Sequence, residues 1–73
     1  MKNRMLIIGK KLRRMRGKRT QEEVAKALNL SIAAISAYEL GQQTPRDAVK
    51  IALSEYYGVS VGDLFFNLKS NET

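Results

Sequence analysis

The stretch from Thr20 to Gly41 constrains the fold more than any other part of the chain, because it predicts two short helices joined by a tight turn. The run Thr20-Gln21-Glu22-Glu23 has the form of a capping box. In this motif the threonine hydroxyl accepts a hydrogen bond from the third helical N–H, and the glutamate reaches back to the threonine N–H. A helix should therefore begin here and run to about Leu28.

The turn and the second helix have their own signals. Asn29 belongs to the residue type that, after glycine, most readily adopts the left-handed conformation that turns a chain after a helix. Ser31 supplies the N-cap of a helix over 32–40, which should end at Gly41. Helices joined so tightly cross steeply, and we expect Ala25 to be the small residue at their crossing point. The apolar residues expected to face the crossing and enter the core are Val24, Leu28, Leu30, Ile35 and Tyr38.

An N-terminal helix should precede this pair and two further helices should follow it, so the chain is expected to be an all-α, compact five-helix bundle. The N-terminal helix ends at Gly17, and one stripe of its surface carries Met5, Ile8, Leu12 and Met15. Thr44 as N-cap and Pro45 at the first helical position predict a fourth helix, closed by Gly58. Its inward residues should be Val49, Ala52, Leu53 and Tyr56 or Tyr57.

A short last helix should open at Ser60-Val61-Gly62-Asp63 and carry Leu64, Phe65 and Phe66. These three large apolar residues cannot all lie inside so small a bundle. They are either ordinary core residues or an exposed apolar patch that marks a dimer interface. The domain is expected to comprise residues 1–66, and residues 67–73 are expected to form a polar C-terminal tail.

The positive charge is concentrated in the N-terminal part of the chain. The formal net charge is +6, from 13 basic and 7 acidic residues, yet every charged residue in 1–20 is basic. Such a segment is a solvated face, a patch for phosphate groups or a patch for an anionic membrane surface. The membrane alternative is the weakest, because the first helix would have to withdraw its apolar stripe from the bundle.

Composition excludes several classes of function. The chain has no cysteine and no histidine, which excludes disulfides, thiolate or imidazole catalysis and a Cys/His zinc site. It also lacks a glycine-rich phosphate loop and clustered carboxylates, so we expect no enzymatic activity, no metal and no cofactor. The apolar run at 5–8 is too short for a signal peptide or a membrane span, which predicts a cytoplasmic protein. Since no residues remain for a sensing domain, no small-molecule ligand is expected.

The residues from Thr20 to Leu28, followed by Asn29, Ser31, Ile35-Ser36, Tyr38-Glu39, Gly41 and Pro45, resemble the phage-repressor/Cro-type (xenobiotic-response-element-like) helix-turn-helix family. The stretch from Pro45 to Phe65 also matches, so the resemblance covers roughly residues 5–66. It implies a lambda-repressor-like bundle that binds double-stranded DNA, with the helix at 32–40 in the major groove and the helix that begins at Gln21 crossing the phosphate backbone.

The resemblance also assigns roles to individual residues. The base-reading positions are Ile32, Ala33, Ser36 and Ala37. Isoleucine and alanine cannot form the bidentate hydrogen bonds that often read base edges, so we expect contacts with thymine methyl groups and readout of DNA shape. The candidate phosphate-binding residues are Lys18, Arg19, Gln21, Gln42, Gln43 and Thr44. Relatives commonly pair the residue at Glu39 with an arginine of the first helix, for which Arg16 is the best match and Arg13 the alternative.

These expectations favour a small dimeric transcriptional regulator, most simply a repressor, because a two-fold operator requires a homodimer. The alternative is a protein-interaction module, such as an antitoxin or an antirepressor-like partner, in which DNA binding is secondary. In that case the apolar patch of Leu64, Phe65 and Phe66 would bind a different protein. Salt-sensitive binding to duplex DNA distinguishes the two hypotheses.

Overall fold

Residues 4–66 are described by a computed structural model and form five helices and no strand. The helices are α1 (Arg4–Arg16), α2 (Gln21–Leu28), α3 (Ile32–Glu39), α4 (Asp47–Tyr57) and α5 (Gly62–Phe66), the last of which is wound as a π-helix. The predicted all-α bundle is confirmed. The polar tail expected over 67–73 lies outside the described residues.

The caps around the α2–α3 turn form as the sequence predicts. Glu23 N donates to Thr20 Oγ1 at 3.0 Å and Thr20 N donates to Glu23 Oε1 at 2.7 Å, which completes the capping box. Asn29 is left-handed with φ 56°. Ala34 N donates to Ser31 Oγ at 3.0 Å, so the serine caps α3 as expected. All of these hydrogen bonds join residues close in sequence. They therefore fix where α2 begins and where α3 begins without any contribution from long-range packing.

The core lies where α1, α2 and α3 meet, and it extends to α4 and α5. Its buried apolar residues are Ile8, Leu12, Val24, Ala25, Ile35, Leu53, Leu64 and Phe65. Packed against them, and partly buried, are Met15, Leu28, Leu30, Tyr38, Val49, Tyr56 and Tyr57, among others. Ala25 is 3% exposed, in agreement with its expected place at the helix crossing. In α4, Leu53 is fully buried and Ser54, which was not expected in the interior, is 3% exposed.

Gly9 brings the backbones of α1 and α3 into direct contact. A Cβ atom at this position would overlap the carbonyl oxygen of Glu39 and lie 2.9 Å from that of Tyr38. No other residue type fits there without a shift of one helix. The signal in the sequence was a glycine in a helix interior, where it costs about 1 kcal/mol relative to alanine and needs a packing reason.

The predicted start of α4 is wrong. Thr44 is exposed and caps nothing, and Pro45 is buried ahead of the helix rather than in its first turn. The helix begins at Asp47, and Arg46 occupies the N-cap position in an extended conformation without a side-chain cap hydrogen bond. The physical reason is that Pro45 packs into the interior, so the chain stays extended for two more residues before it turns into α4.

The three residues expected at a dimer interface, at the C-terminal end of the described chain, differ in their exposure to solvent. Leu64 and Phe65 are 2% and 1% exposed, so their expected place in an exposed patch is wrong, and they are core residues. Phe66 is 60% exposed and remains available for contact with another molecule. Lys50 Nζ lies 5.1 Å from the centroid of the Phe66 ring, so a cation borders this exposed side chain.

Candidate nucleic-acid interface

The outward face of α3 carries no charged side chain. Ile32 is 48% exposed and Ala33 is exposed, while Ser36 and Ala37 are half-buried one turn further along. These are the residues expected to read bases, and the structure places them along one side of the helix. The surface can make apolar contacts and a single side-chain hydrogen bond through the Ser36 hydroxyl. A partner that covers the exposed part of the Ile32 side chain would gain free energy from its burial.

Five of the six expected phosphate-binding residues are exposed, and four of them lie in the loops that flank α2 and α3 without a side-chain partner among the described residues. Lys18 lies in the loop before α2, and Gln42, Gln43 and Thr44 lie in the loop after α3. The backbone N–H groups of Gln42 and Gln43 both donate to Ala37 O, at 2.9 and 3.3 Å. These two N–H groups therefore end α3, and only the side chains of the loop glutamines are available to a ligand.

Arg19 is held against α4 rather than extended into solvent. Its guanidinium carbon lies 5.2 Å from the Tyr56 ring centroid and 5.6 Å from that of Tyr57. Nη1 donates to Met15 O at 3.2 Å. The guanidinium is therefore fixed by stacking and by the end of α1, and the remaining N–H groups of this exposed residue are still available to a phosphate.

Gln21 belongs to a polar network that joins three helices. Its Nε2 donates to Glu39 Oε1 at 3.0 Å. Arg16 Nε donates to Glu39 Oε2 at 2.7 Å and Arg16 Nη2 donates to Glu39 Oε1 at 3.1 Å, so the expected Arg16–Glu39 pair is confirmed. Arg16 Nη1 also donates to Arg19 O at 2.7 Å, which ties the α1–α2 loop to the same network. The hydrogen bonds to Glu39 raise the pKa of Arg16 above its usual value.

Tyr57, at the end of α4, lies beside this network. Burial of its phenol raises the pKa of Tyr57 to about 12, and the negative charge of Glu39 adds to the effect. The positive charges of Arg19 and Arg16 act in the opposite direction. The Tyr57 hydroxyl therefore stays protonated throughout the physiological range.

Several cations have no hydrogen bond or ion pair from their side chains to other described residues. They are Lys10, Arg13, Arg14, Lys18, Lys26 and Arg46, all exposed. Free surface cations attract polyanions over a distance of about 8 Å at physiological ionic strength. In residues 4–66 no group of three or more acidic side chains has the arrangement of a metal site. No helix in this part of the chain is long and apolar enough to cross a membrane.

Comparison with protein-family models matches residues 10–64 to a model described as helix-turn-helix. Comparisons with curated proteins and with solved structures gave no match. Because the family model covers most of the chain and the α2–turn–α3 geometry agrees with it, the protein belongs to the helix-turn-helix family of lambda-repressor/Cro-like type. This is a family of DNA-binding transcription regulators rather than of enzymes.

Proposed function

We propose that the protein is a sequence-specific regulator that binds double-stranded DNA as a homodimer, places α3 in the major groove and acts as a repressor in the cytoplasm. The observation that carries the proposal is the exposed, uncharged side of α3, from Ile32 to Ala37, on the second helix of the helix-turn-helix unit. A face whose first turn is exposed, with Ile32 at 48%, and whose second turn is half-buried leaves apolar surface that can contact another molecule.

The chemistry of this face supports a particular kind of operator. Ile32, Ala33 and Ala37 offer only methyl and methylene groups, which pack against the C5-methyl group of thymine. Ser36 adds one hydrogen bond. Since none of them makes a bidentate contact with guanine or adenine, a thymine-rich half-site fits best, with the remaining sequence preference coming from DNA shape.

Affinity should come mainly from the phosphate backbone. We propose that Lys18, Arg19, Gln21, Gln42, Gln43 and Thr44 contact phosphates, as expected from the resemblance. If these residues and the arginines of the first helix meet four to six phosphates per protomer, the logarithm of the binding constant falls with the logarithm of the salt concentration with a slope of roughly −0.9 per neutralised phosphate. Repression then follows most simply from occupation of promoter DNA, which blocks access of the polymerase.

The test starts with selection of bound sequences from a random DNA pool, followed by titration of the selected and of a scrambled duplex at two salt concentrations. We expect thymine-rich half-sites, tighter binding to the selected duplex and weaker binding to both duplexes at the higher salt concentration. Replacement of the half-site thymines by uracil, which lacks only the methyl group, should weaken specific binding. A protein without salt-sensitive duplex binding would instead be an interaction module.

Two variants locate the reading face. Ala37→Glu places a negative charge at a half-buried position on the outward side of α3 and should abolish specific binding without unfolding the domain. Ala48→Glu is the matched control, since it adds the same charge at an exposed position of α4, in the first turn of that helix. Equal loss of affinity in both variants would mean that the charge acts at long range. Unchanged affinity in Ala37→Glu would show that α3 is not the reading helix.

A further inference from the structure

We infer that Glu39 is a positioning residue for DNA binding, because it determines which end of the Gln21 amide is presented to a phosphate. The inference rests on the proposed DNA-binding function and deepens it. Its basis is the hydrogen bond of 3.0 Å from Gln21 Nε2 to Glu39 Oε1, which joins the first residue of α2 to the last residue of α3. From the sequence, Glu39 was expected only to pair with an arginine of α1.

The donor and acceptor chemistry of the two side chains leaves one arrangement. An ionised carboxylate accepts hydrogen bonds and donates none, so Glu39 can face the Nε2 end of the Gln21 amide but not its Oε1 end. Nε2 carries two hydrogens, and Glu39 takes one of them. The second Nε2 hydrogen remains available to donate to a phosphate oxygen, which the N-terminus of α2 attracts in the proposed complex. Without Glu39 the amide could rotate and present its oxygen, which repels phosphate.

Arg16 makes this arrangement compatible with an anionic ligand. An isolated carboxylate beside the phosphate path would repel DNA, but the guanidinium contacts both oxygens of Glu39, at 2.7 and 3.1 Å. The side chain of Glu39 is 4% exposed and that of Arg16 is 17% exposed, so the pair is shielded from water. Glu39 is thus neutralised by Arg16 on one side while it orients Gln21 on the other.

Neighbouring groups make the orientation rigid. The backbone of Glu39 lies against Gly9 of α1, and Arg16 Nη1 is bonded to Arg19 O. The backbone of Glu39 is therefore held by helix packing, and the hydrogen bond to Arg19 O restrains the Arg16 guanidinium beside it. Gln21 itself is half-buried, whereas the loop residue Gln42 is exposed and has no side-chain hydrogen bond within the described residues. Gln42 is therefore a suitable control.

A double-mutant cycle measured by DNA affinity tests the inference. Gln21→Ala should weaken all duplexes similarly, by about ten- to a hundredfold, the size of one hydrogen bond to a charged group. Glu39→Gln, whose amide can donate to Gln21 Oε1 and so rotate the Gln21 side chain, should weaken binding by a similar factor. In the Gln21→Ala background, Glu39→Gln should have no further effect on affinity, because the group that it orients is already absent.

The control cycle combines Glu39→Gln with Gln42→Ala, and here the two effects should multiply. Multiplication in the Gln21 cycle as well would overturn the inference, since Glu39 would then act only through the stability of the fold. Unchanged affinity in Gln21→Ala alone would also overturn it. Neither result would affect the proposal that the protein binds duplex DNA, which fails if the wild-type protein shows no salt-sensitive binding to a duplex.

A measurement on the wild-type protein covers the case in which Glu39→Gln does not fold. The side-chain amide protons of Gln21, observed by nuclear magnetic resonance, should differ from those of Gln42 in two respects. One proton should be shifted by its bond to the carboxylate, and exchange with water should be slower. Gln21 amide signals that resemble those of Gln42 would show that the bond does not hold in solution, and the inference would be wrong.

Discussion

At the scale of single residues, Gly9 sets the distance between α1, which carries much of the positive charge, and α3, which carries the proposed reading face. The place of its missing side chain is occupied by the carbonyl oxygen of Glu39. Backbone atoms cannot move aside as a flexible side chain can, so any substituent at this position must separate α1 from α3. The separation would be transmitted directly to Glu39 and to the residues bonded to it.

Gly9→Ala should therefore lower the free energy of unfolding by about 1–3 kcal/mol, even though alanine is the better helix former. Thermal or denaturant unfolding measures this change. Gly62→Ala is the matched control, because a Cβ atom there would meet only Ser60 Oγ at 3.8 Å. We expect the control to change stability by less than about 0.5 kcal/mol. A stabilising effect of Gly9→Ala would show that the two helices are further apart in solution.

At the scale of helices, the caps and the core stripes were predictable because they depend on neighbours within one turn. The capping box at Thr20 and the left-handed Asn29 are examples, and both have the expected geometry. The predicted start of α4 at Pro45 was wrong because proline occurs both in the first turn of a helix and in extended segments. Which of the two forms depends on tertiary packing, which the sequence around Pro45 does not indicate. The bond between Gln21 and Glu39 depends on the relative placement of α2 and α3, for which no local signal exists.

Tyr57, which lies beside the polar network that joins these helices, makes the stability of the fold depend on pH in the alkaline range, because burial raises the pKa of its phenol. Tyr57 has a pKa of about 12 in the folded chain, against 10.0 for a tyrosine side chain in water. A raised pKa means that the folded state retains a proton that the unfolded state releases above pH 10, so stability is lost as the pH rises from about 10 to about 12. Below that range the contribution is fully present.

Tyr57→Phe should remove this part of the pH dependence. The difference in free energy of unfolding between wild type and variant should be constant below pH 10 and should shift in favour of the variant between pH 10 and 12. Denaturant unfolding at a series of pH values gives the comparison, and the difference cancels the lysine titrations that both proteins share. A difference that does not vary with pH would mean that Tyr57 is exposed to solvent in the folded protein.

At the scale of the whole molecule, the dimensions agree with a dimer on adjacent turns of DNA. The principal extents are 32 × 25 × 22 Å. Two copies in contact therefore have centres about 22–32 Å apart, depending on which faces meet, and contact at the ends of the longest axis comes nearest to the roughly 34 Å spacing of two-fold half-sites. Leu64 and Phe65 stabilise each protomer from within, which leaves Phe66 as the member of that cluster able to join two protomers.

Phe66→Ser should shift the protein from dimer to monomer, as measured by sedimentation equilibrium, and should weaken binding to a two-fold operator more than binding to a single half-site. Leu40→Ser is the control for the oligomeric state, because Leu40 is similarly exposed, at 55%, but lies at the end of α3. A wild-type protein that is monomeric in solution and binds two half-sites independently would contradict the proposed role of Phe66.

The close contact at Gly9 has a consequence for engineering. The angle between α1 and α3 is set by main-chain atoms and by the Glu39 network, whereas Ile32, Ala33, Ser36 and Ala37 lie outside the buried core. Of the four proposed reading positions, Ile32 and Ala33 are exposed and can therefore be exchanged without repacking the interior. Libraries randomised at these two codons should yield folded proteins, and they should yield new target sequences if α3 reads DNA as proposed, so the domain can serve as a scaffold for retargeting.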